Sequence, residues 1–109
     1  MSEVTVIVLA RAKPGRGDEA EAAFREVTDP THAEEGCILY ALHRVGSAPD
    51  RLVLVERWAS RKALDEHLAS DHLVAFRASS ADIWAEPMEI LLVDPVGAGD
   101  PVKGSLAGA

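Results

Sequence analysis

Short apolar runs and stretches of helical spacing alternate along this chain. Residues 4–10 (VTVIVLA) are rich in β-branched side chains and apolar on both parities, the pattern of a strand covered on both faces. Turn chemistry at Lys13-Pro14-Gly15-Arg16-Gly17 ends it. Asp18 followed by Glu21 has the spacing of a capping box, and Ala20, Ala23, Phe24 and Val27 form one apolar stripe beyond it. A first helix is expected there. Pro30 should end or kink it, with one more turn over residues 31–35 and Gly36 as C-cap.

Residues 37–44 (CILYALHR) read as a second strand, residues 46–50 as a hairpin loop and residues 51–58 as a third strand. Leu52, Leu54, Glu56 and Trp58 share one side of that third strand. Ser60 is a good N-cap, and Leu64, His67 and Leu68 at i, i+3 and i+4 carry a helix to about residue 68. A break is expected near residues 69–71. Ser70 or Asp71 then caps a second helical segment bearing Leu73, Phe76 and Arg77. A last strand is expected over residues 88–93 (MEILLV). Residues 97–109 are too rich in small residues to pack, so a flexible tail over 96–109 should follow a single domain over 1–95.

The order strand, helix, strand, strand, helix, strand is the split βαβ arrangement of an α+β, ferredoxin-like domain with an antiparallel sheet. Right-handed crossovers place the helices on one sheet face. The apolar residues of the other face then need cover that 109 residues do not supply. A second copy packing sheet to sheet answers this, giving a homodimeric α/β barrel.

Composition narrows the partners. A formal charge of −7 and a pI near 4.9, with no cluster of Lys or Arg, argue against nucleic acid and anionic membrane surfaces. The single cysteine, Cys37, excludes an internal disulfide framework and suggests a reducing compartment; beside Ile38 and Leu39 it reads as packing. No secretory leader pattern opens the chain, and no apolar run approaches the ~18 residues of a membrane span. A soluble cytoplasmic protein is expected.

The segments AKPGRGDEAEAAF, PTHAEEGCILYALHR and LVLVERWASRKALDEHLASDHLVAF together resemble the antibiotic biosynthesis monooxygenase family, and most of all its branch of small quinol monooxygenases. The resemblance spans residues 4–93. It implies a dimeric α+β barrel that oxygenates quinol-type or polyphenolic aromatic substrates with dioxygen, without metal, flavin or haem. Other members degrade haem, using a tryptophan that distorts the porphyrin and a histidine that ligates iron. In a gap-free alignment through Trp58 the matching positions here are His67 and Arg77. Arginine does not give up its proton to ligate iron, which sets the haem branch aside.

Cofactor-free oxygenation needs a base near neutral pKa to make a phenol electron-rich, a dry pocket, and a donor for the developing oxyanion. Histidine is the natural base. His67 lies on the stripe with Leu64 and Leu68, and His72 stands four residues from both Leu68 and Phe76. Structurally, one of these histidines can instead bond a carbonyl at the break near Ser70 while the other fills space. Their five-residue separation does not match an i, i+4 zinc pair, and no third ligand suggests itself, so no metal is expected.

Trp58 matches a tryptophan that antibiotic-pathway members use in their pocket. It can serve as a wall whose indole N–H donates to substrate, or as a plug at a strand–helix corner. Those members pair it with an asparagine four residues earlier, where this chain has Leu54. Arg77 offers a replacement positive charge, or a surface ion pair. Leu64 and Phe76 are expected to line the pocket with Tyr40; Tyr40 and Trp84 are candidates for pocket or dimer contacts, and His32 and His43 read as solvated. Glu56, on an otherwise apolar parity, needs a partner such as Arg44 or Arg11 if buried. Two functions fit this pattern: a monooxygenase, or a non-catalytic protein of the same fold that binds a small aromatic molecule.

Overall fold

The computed structural model describes residues 2–106. Its elements are β1 (Val4–Arg11), α1 (Gly17–His32), β2 (Cys37–Arg44), β3 (Arg51–Trp58), α2 (Arg61–Leu68), α3 (Asp71–Ser80) and β4 (Glu89–Val93). The four strands form one sheet in the order β2-β3-β1-β4, with every neighbouring pair antiparallel. This is the ferredoxin-like α+β fold, its second helix divided into α2 and α3.

Strand parity sorts the core. The register pairs Val6 with Glu56, Val8 with Leu54 and Ala10 with Leu52, so these side chains share the helix-covered face, and all are buried. Phe24 of α1 meets Phe76 of α3 and Trp84 beyond it, with ring centroids 4.9 and 5.6 Å away. The opposite face carries Ile7, Leu9, Val53 and Val55, all only partly buried, with Leu91 39% exposed on the β4 edge.

Local signals set the helix starts at α2 and α3. Ser60 accepts a hydrogen bond from the Ala63 N–H and Ser70 from the Leu73 N–H, and two caps ten residues apart divide what would otherwise be one helix. The expected break near residues 69–71 is therefore observed. At α1 the expected cap is corrected: Asp18 lies inside the helix and pairs with Arg44. The capping carboxylate is Asp50 of the β2–β3 loop, accepting from the Gly17 and Gly15 N–H groups at 2.9 and 3.0 Å. That approach requires glycine, because a Cβ on Gly17 would stand 2.4 Å from the Pro49 carbonyl oxygen.

Two further expectations change at the end of α1. Pro30 does not stop the helix, which runs on to His32. It removes one N–H from the ladder, and the Ala33 N–H bonding to the Asp29 carbonyl closes the last turn. Gly36 is not a left-handed C-cap, since its φ is not positive. It is small because a Cβ there would stand 2.3 Å from Cβ of Ala63, at the crossing of the α1–β2 connection and α2. Leu68, expected on the buried stripe, is 37% exposed.

Residues 94–106 contain no helix or strand, and no helix among the described residues is long and apolar enough to cross a membrane. Cys37 is half-buried at the core's edge, where burial pushes its thiol up from the ordinary range.

Candidate active site

A cavity of about 440 Å³ lies between the sheet and the helices. Val6, Val8, Tyr40, Leu54 and Glu56 make its floor, and Leu64, His67, Leu73 and Phe76 its roof. It opens toward β4, where Ile90 and Leu92 share the helix-side parity but remain 57% and 48% exposed. Arg61 and Arg77 border it from α2 and α3. The walls are largely hydrocarbon, with a few polar groups placed among them, as in sites that hold small apolar molecules.

α2 carries His67 inward on the same buried side as Ala63 and Leu64. Its ring packs against Trp58, with centroids 4.5 Å apart, and meets Tyr40 at 5.6 Å. Nδ1 lies 2.7 Å from Oε2 of Glu34, which sits in the connection between α1 and β2. A carboxylate oxygen accepts, so Nδ1–H donates, and Nε2 of the neutral ring is the nitrogen left for a ligand in the cavity. Burial holds His67 below the ordinary imidazole value, opposing the Glu34 bond, and the positive charge of Arg77 acts in the same direction as burial.

His72 bonds the same Glu34 oxygen through Nε2, at 2.8 Å, from the other side. It does not border the cavity. It faces a shallow surface cleft with Ala23, Val27 and Ala75. The two histidines are thus joined through one carboxylate while only His67 borders the cavity. The expectation that no third metal-binding group accompanies them is corrected, because the candidate ligand atoms of Glu34, His67 and His72 all lie within 4.8 Å of one another. Two histidines and one carboxylate are a divalent-metal donor set. In the arrangement seen, both imidazoles donate an N–H to the same Glu34 carboxylate oxygen, which satisfies both donors through hydrogen bonds.

Glu56 is 5% exposed, and its partner is neither Arg44 nor Arg11. Arg44 pairs with Asp18 and Glu21, and Arg11 with Glu86. Glu56 Oε1 instead accepts from the Trp58 indole N–H at 2.8 Å, two residues along the same strand face. Burial pushes this carboxyl up to about 7, with the Trp58 bond opposing. Burial also raises the Tyr40 phenol well above its ordinary range, helped by the charge of Glu56.

Of the residues expected at the site, His67, Tyr40, Leu54, Leu64, Phe76 and Arg77 line one cavity, together with Trp84. Trp58 is fully buried behind His67 and Glu56, and its N–H is occupied by Glu56. Two polar residues not expected at the site belong to it: Glu56 on the cavity floor and Glu34 behind His67. Glu34 carries no local signal in the sequence, whereas the apolar parity of β3 marks Glu56 as an anomaly. His32 and His43 are exposed, each with one backbone carbonyl contact.

Residues 3–79 match the family model of the antibiotic biosynthesis monooxygenases. The protein Rv0793 of Mycobacterium tuberculosis is 37% identical over 95 residues, covering 84% of this chain and 91% of that one. YgiN of Escherichia coli strain K12, which bears the name "Probable quinol monooxygenase", is 29% identical over 99 residues, covering 81% and 95%. The solved structure of Rv0793 superposes with a TM-score of 0.81 at 32% identity, covering 91% of this chain and all of that one. PA3566 of Pseudomonas aeruginosa shares the fold, with a TM-score of 0.82 at 24% identity over 89% of this chain. On the match across most of its length and on this likeness, the chain belongs to the antibiotic biosynthesis monooxygenase family.

Proposed function

We propose that this protein is a cofactor-independent monooxygenase that oxidises a phenol or quinol-type aromatic substrate with dioxygen. The observation that carries the reading is the Glu34–His67 pair: one imidazole nitrogen is fixed by a carboxylate, and the ring borders an apolar cavity. Nε2 takes the phenolic proton, and the resulting phenolate passes an electron to dioxygen far more readily than the phenol does. Glu34 fixes the ring's tautomer and stabilises the imidazolium that forms, the role a carboxylate plays behind a catalytic histidine. The lowered pKa of His67 keeps the base neutral below the ordinary histidine range.

The working unit is a homodimer. Ile7, Leu9, Val53, Val55 and Leu91 make an apolar sheet face without cover from this chain's helices, and a second sheet supplies it. A reducing cytoplasmic setting suits the single half-buried thiol.

The second reading is a non-catalytic protein of the same fold that holds a small aromatic molecule in this cavity. Oxygen uptake with a panel of hydroquinones and naphthols separates the two. The monooxygenase reading predicts uptake that survives dialysis against a chelator and is lost in a His67→Ala/His72→Ala variant. Tight binding of these aromatics with no uptake supports the binding protein instead.

A further inference from the structure

Glu56 is a buried titratable group for which the base mechanism has no use. It stands on the cavity floor with its neighbours fixed by the sheet register: Val6 on β1 and Tyr40 on β2 pair with it across the strands, and Trp58 bonds it from its own strand. No cation pairs with it among the described residues. The charged and titratable groups around the same space are His67 on α2, Tyr40 and the Cys37 thiol on β2, Glu34 behind His67, and Arg61 and Arg77 on α2 and α3. Oε1 is occupied by the Trp58 N–H, so Oε2 is the oxygen left to carry a proton toward a ligand.

We propose that Glu56 is the proton donor of this cavity: a carboxylic acid held by Trp58 that protonates the peroxide formed when dioxygen adds to the substrate. The proposal rests on the monooxygenase reading and supplies the step that a single base leaves open. Burial moves the two cavity groups in opposite senses, His67 down and Glu56 up, and such divergence separates a base from an acid in one pocket.

The proton ledger closes. His67 takes the phenolic proton, and electron transfer followed by radical recombination forms a carbon–oxygen bond that leaves a peroxide anion on the ring. Glu56 protonates the peroxide's outer oxygen. The C–H proton at the same carbon then passes to the Glu56 carboxylate, and the C–H electron pair becomes the new C=O bond. The O–O bond breaks, and its electron pair leaves with hydroxide, which the His67 imidazolium protonates to water. One phenol with a free ring position and one dioxygen give one quinone and one water, with both side chains restored.

The test compares wild type, Glu56→Gln and Glu56→Asp. Gln keeps an acceptor for the Trp58 N–H but has no proton to give. Its kcat should fall roughly 10²-fold, with KM within about twofold. Wild-type kcat should be bell-shaped in pH, with an alkaline limb that Glu56→Gln lacks and Glu56→Asp partly restores. A measurement on the otherwise native chain covers the case of a variant that fails to fold: with Trp84→Phe leaving Trp58 as the sole tryptophan, its emission should titrate between about pH 6 and about pH 8. An active wild type with an unchanged Glu56→Gln rate and pH profile overturns the role of Glu56 alone, and so does a flat Trp58 titration. A wild type that takes up no oxygen with any phenol removes the monooxygenase reading and this step together.

Discussion

Oε2 of Glu34 lies 2.7 Å from Nδ1 of His67, tying the connection after α1 to the inner side of α2. The bond does two things at once: it satisfies a donor on a side chain only 2% exposed, and it selects which imidazole nitrogen remains for the cavity. Glu34 is a positioning residue, acting through His67.

Replacing it separates these effects. Glu34→Ala should lower kcat roughly 10- to 100-fold with KM nearly unchanged, because the substrate contacts remain while the base loses its orientation. Glu34→Gln, which keeps an acceptor, should recover part of the loss. Denaturant unfolding of Glu34→Ala should show a stability loss of about 1 kcal/mol, modest because the carboxylate is partly open to water. A change confined to KM would contradict the assignment.

Glu56 makes stability depend on pH with a definite sign. Its carboxyl is raised from 4.5 to about 7 on folding, so the folded state holds the proton longer than the unfolded chain does. Stability therefore falls as pH rises through that window and levels off above it, by at most about 3 kcal/mol at 1.36 kcal/mol per unit. Glu56→Gln cannot ionise. It should match wild type near the lower end of the window and exceed it above the upper end, as read by chemical denaturation at several pH values.

The acid limb of activity should belong to His67. Neutral Nε2 is required, and burial with the nearby charge of Arg77 holds the imidazole below its ordinary value, so activity should persist to pH values below about 6.5 before falling. Removing the cation in Arg77→Met should move that limb upward toward the ordinary histidine range. An unmoved limb would mean that Arg77 and His67 do not share the cavity's field.

Gly36 crosses α2 with no room for a methyl group. A Cβ at 2.3 Å from Cβ of Ala63 must push α2 outward, and α2 carries His67. Gly36→Ala should cost about 1–3 kcal/mol, and Gly36→Ala combined with Ala63→Gly should recover most of it. Unfolding curves of the single and double variants check this.

The fold was legible wherever its cause is local. Ser60 and Ser70 cap the helices they precede, and the parity of residues 52, 54, 56 and 58 faces the core as the sequence predicts. The cap of α1 was not legible, because Asp50 reaches it from 33 residues away while Asp18 offers a nearer decoy. The same distance limit governs the site. The stripe through Leu64 and His67 points the histidine inward, but the carboxylate that fixes it is 33 residues earlier, in a segment without periodicity. Glu56 stood out by its parity. Its partner did not, because an arginine on a neighbouring strand is the ordinary answer and the indole of Trp58, on the same strand face, is the actual one.

The most direct test of the central claim is the fate of the oxygen atoms. Turnover of a phenol in isotopically labelled dioxygen, with no added metal or flavin, should place one labelled atom in the quinone and the other in water. Quinone without label, accompanied by hydrogen peroxide in solution, would contradict a monooxygenase and mark the protein as an oxidase.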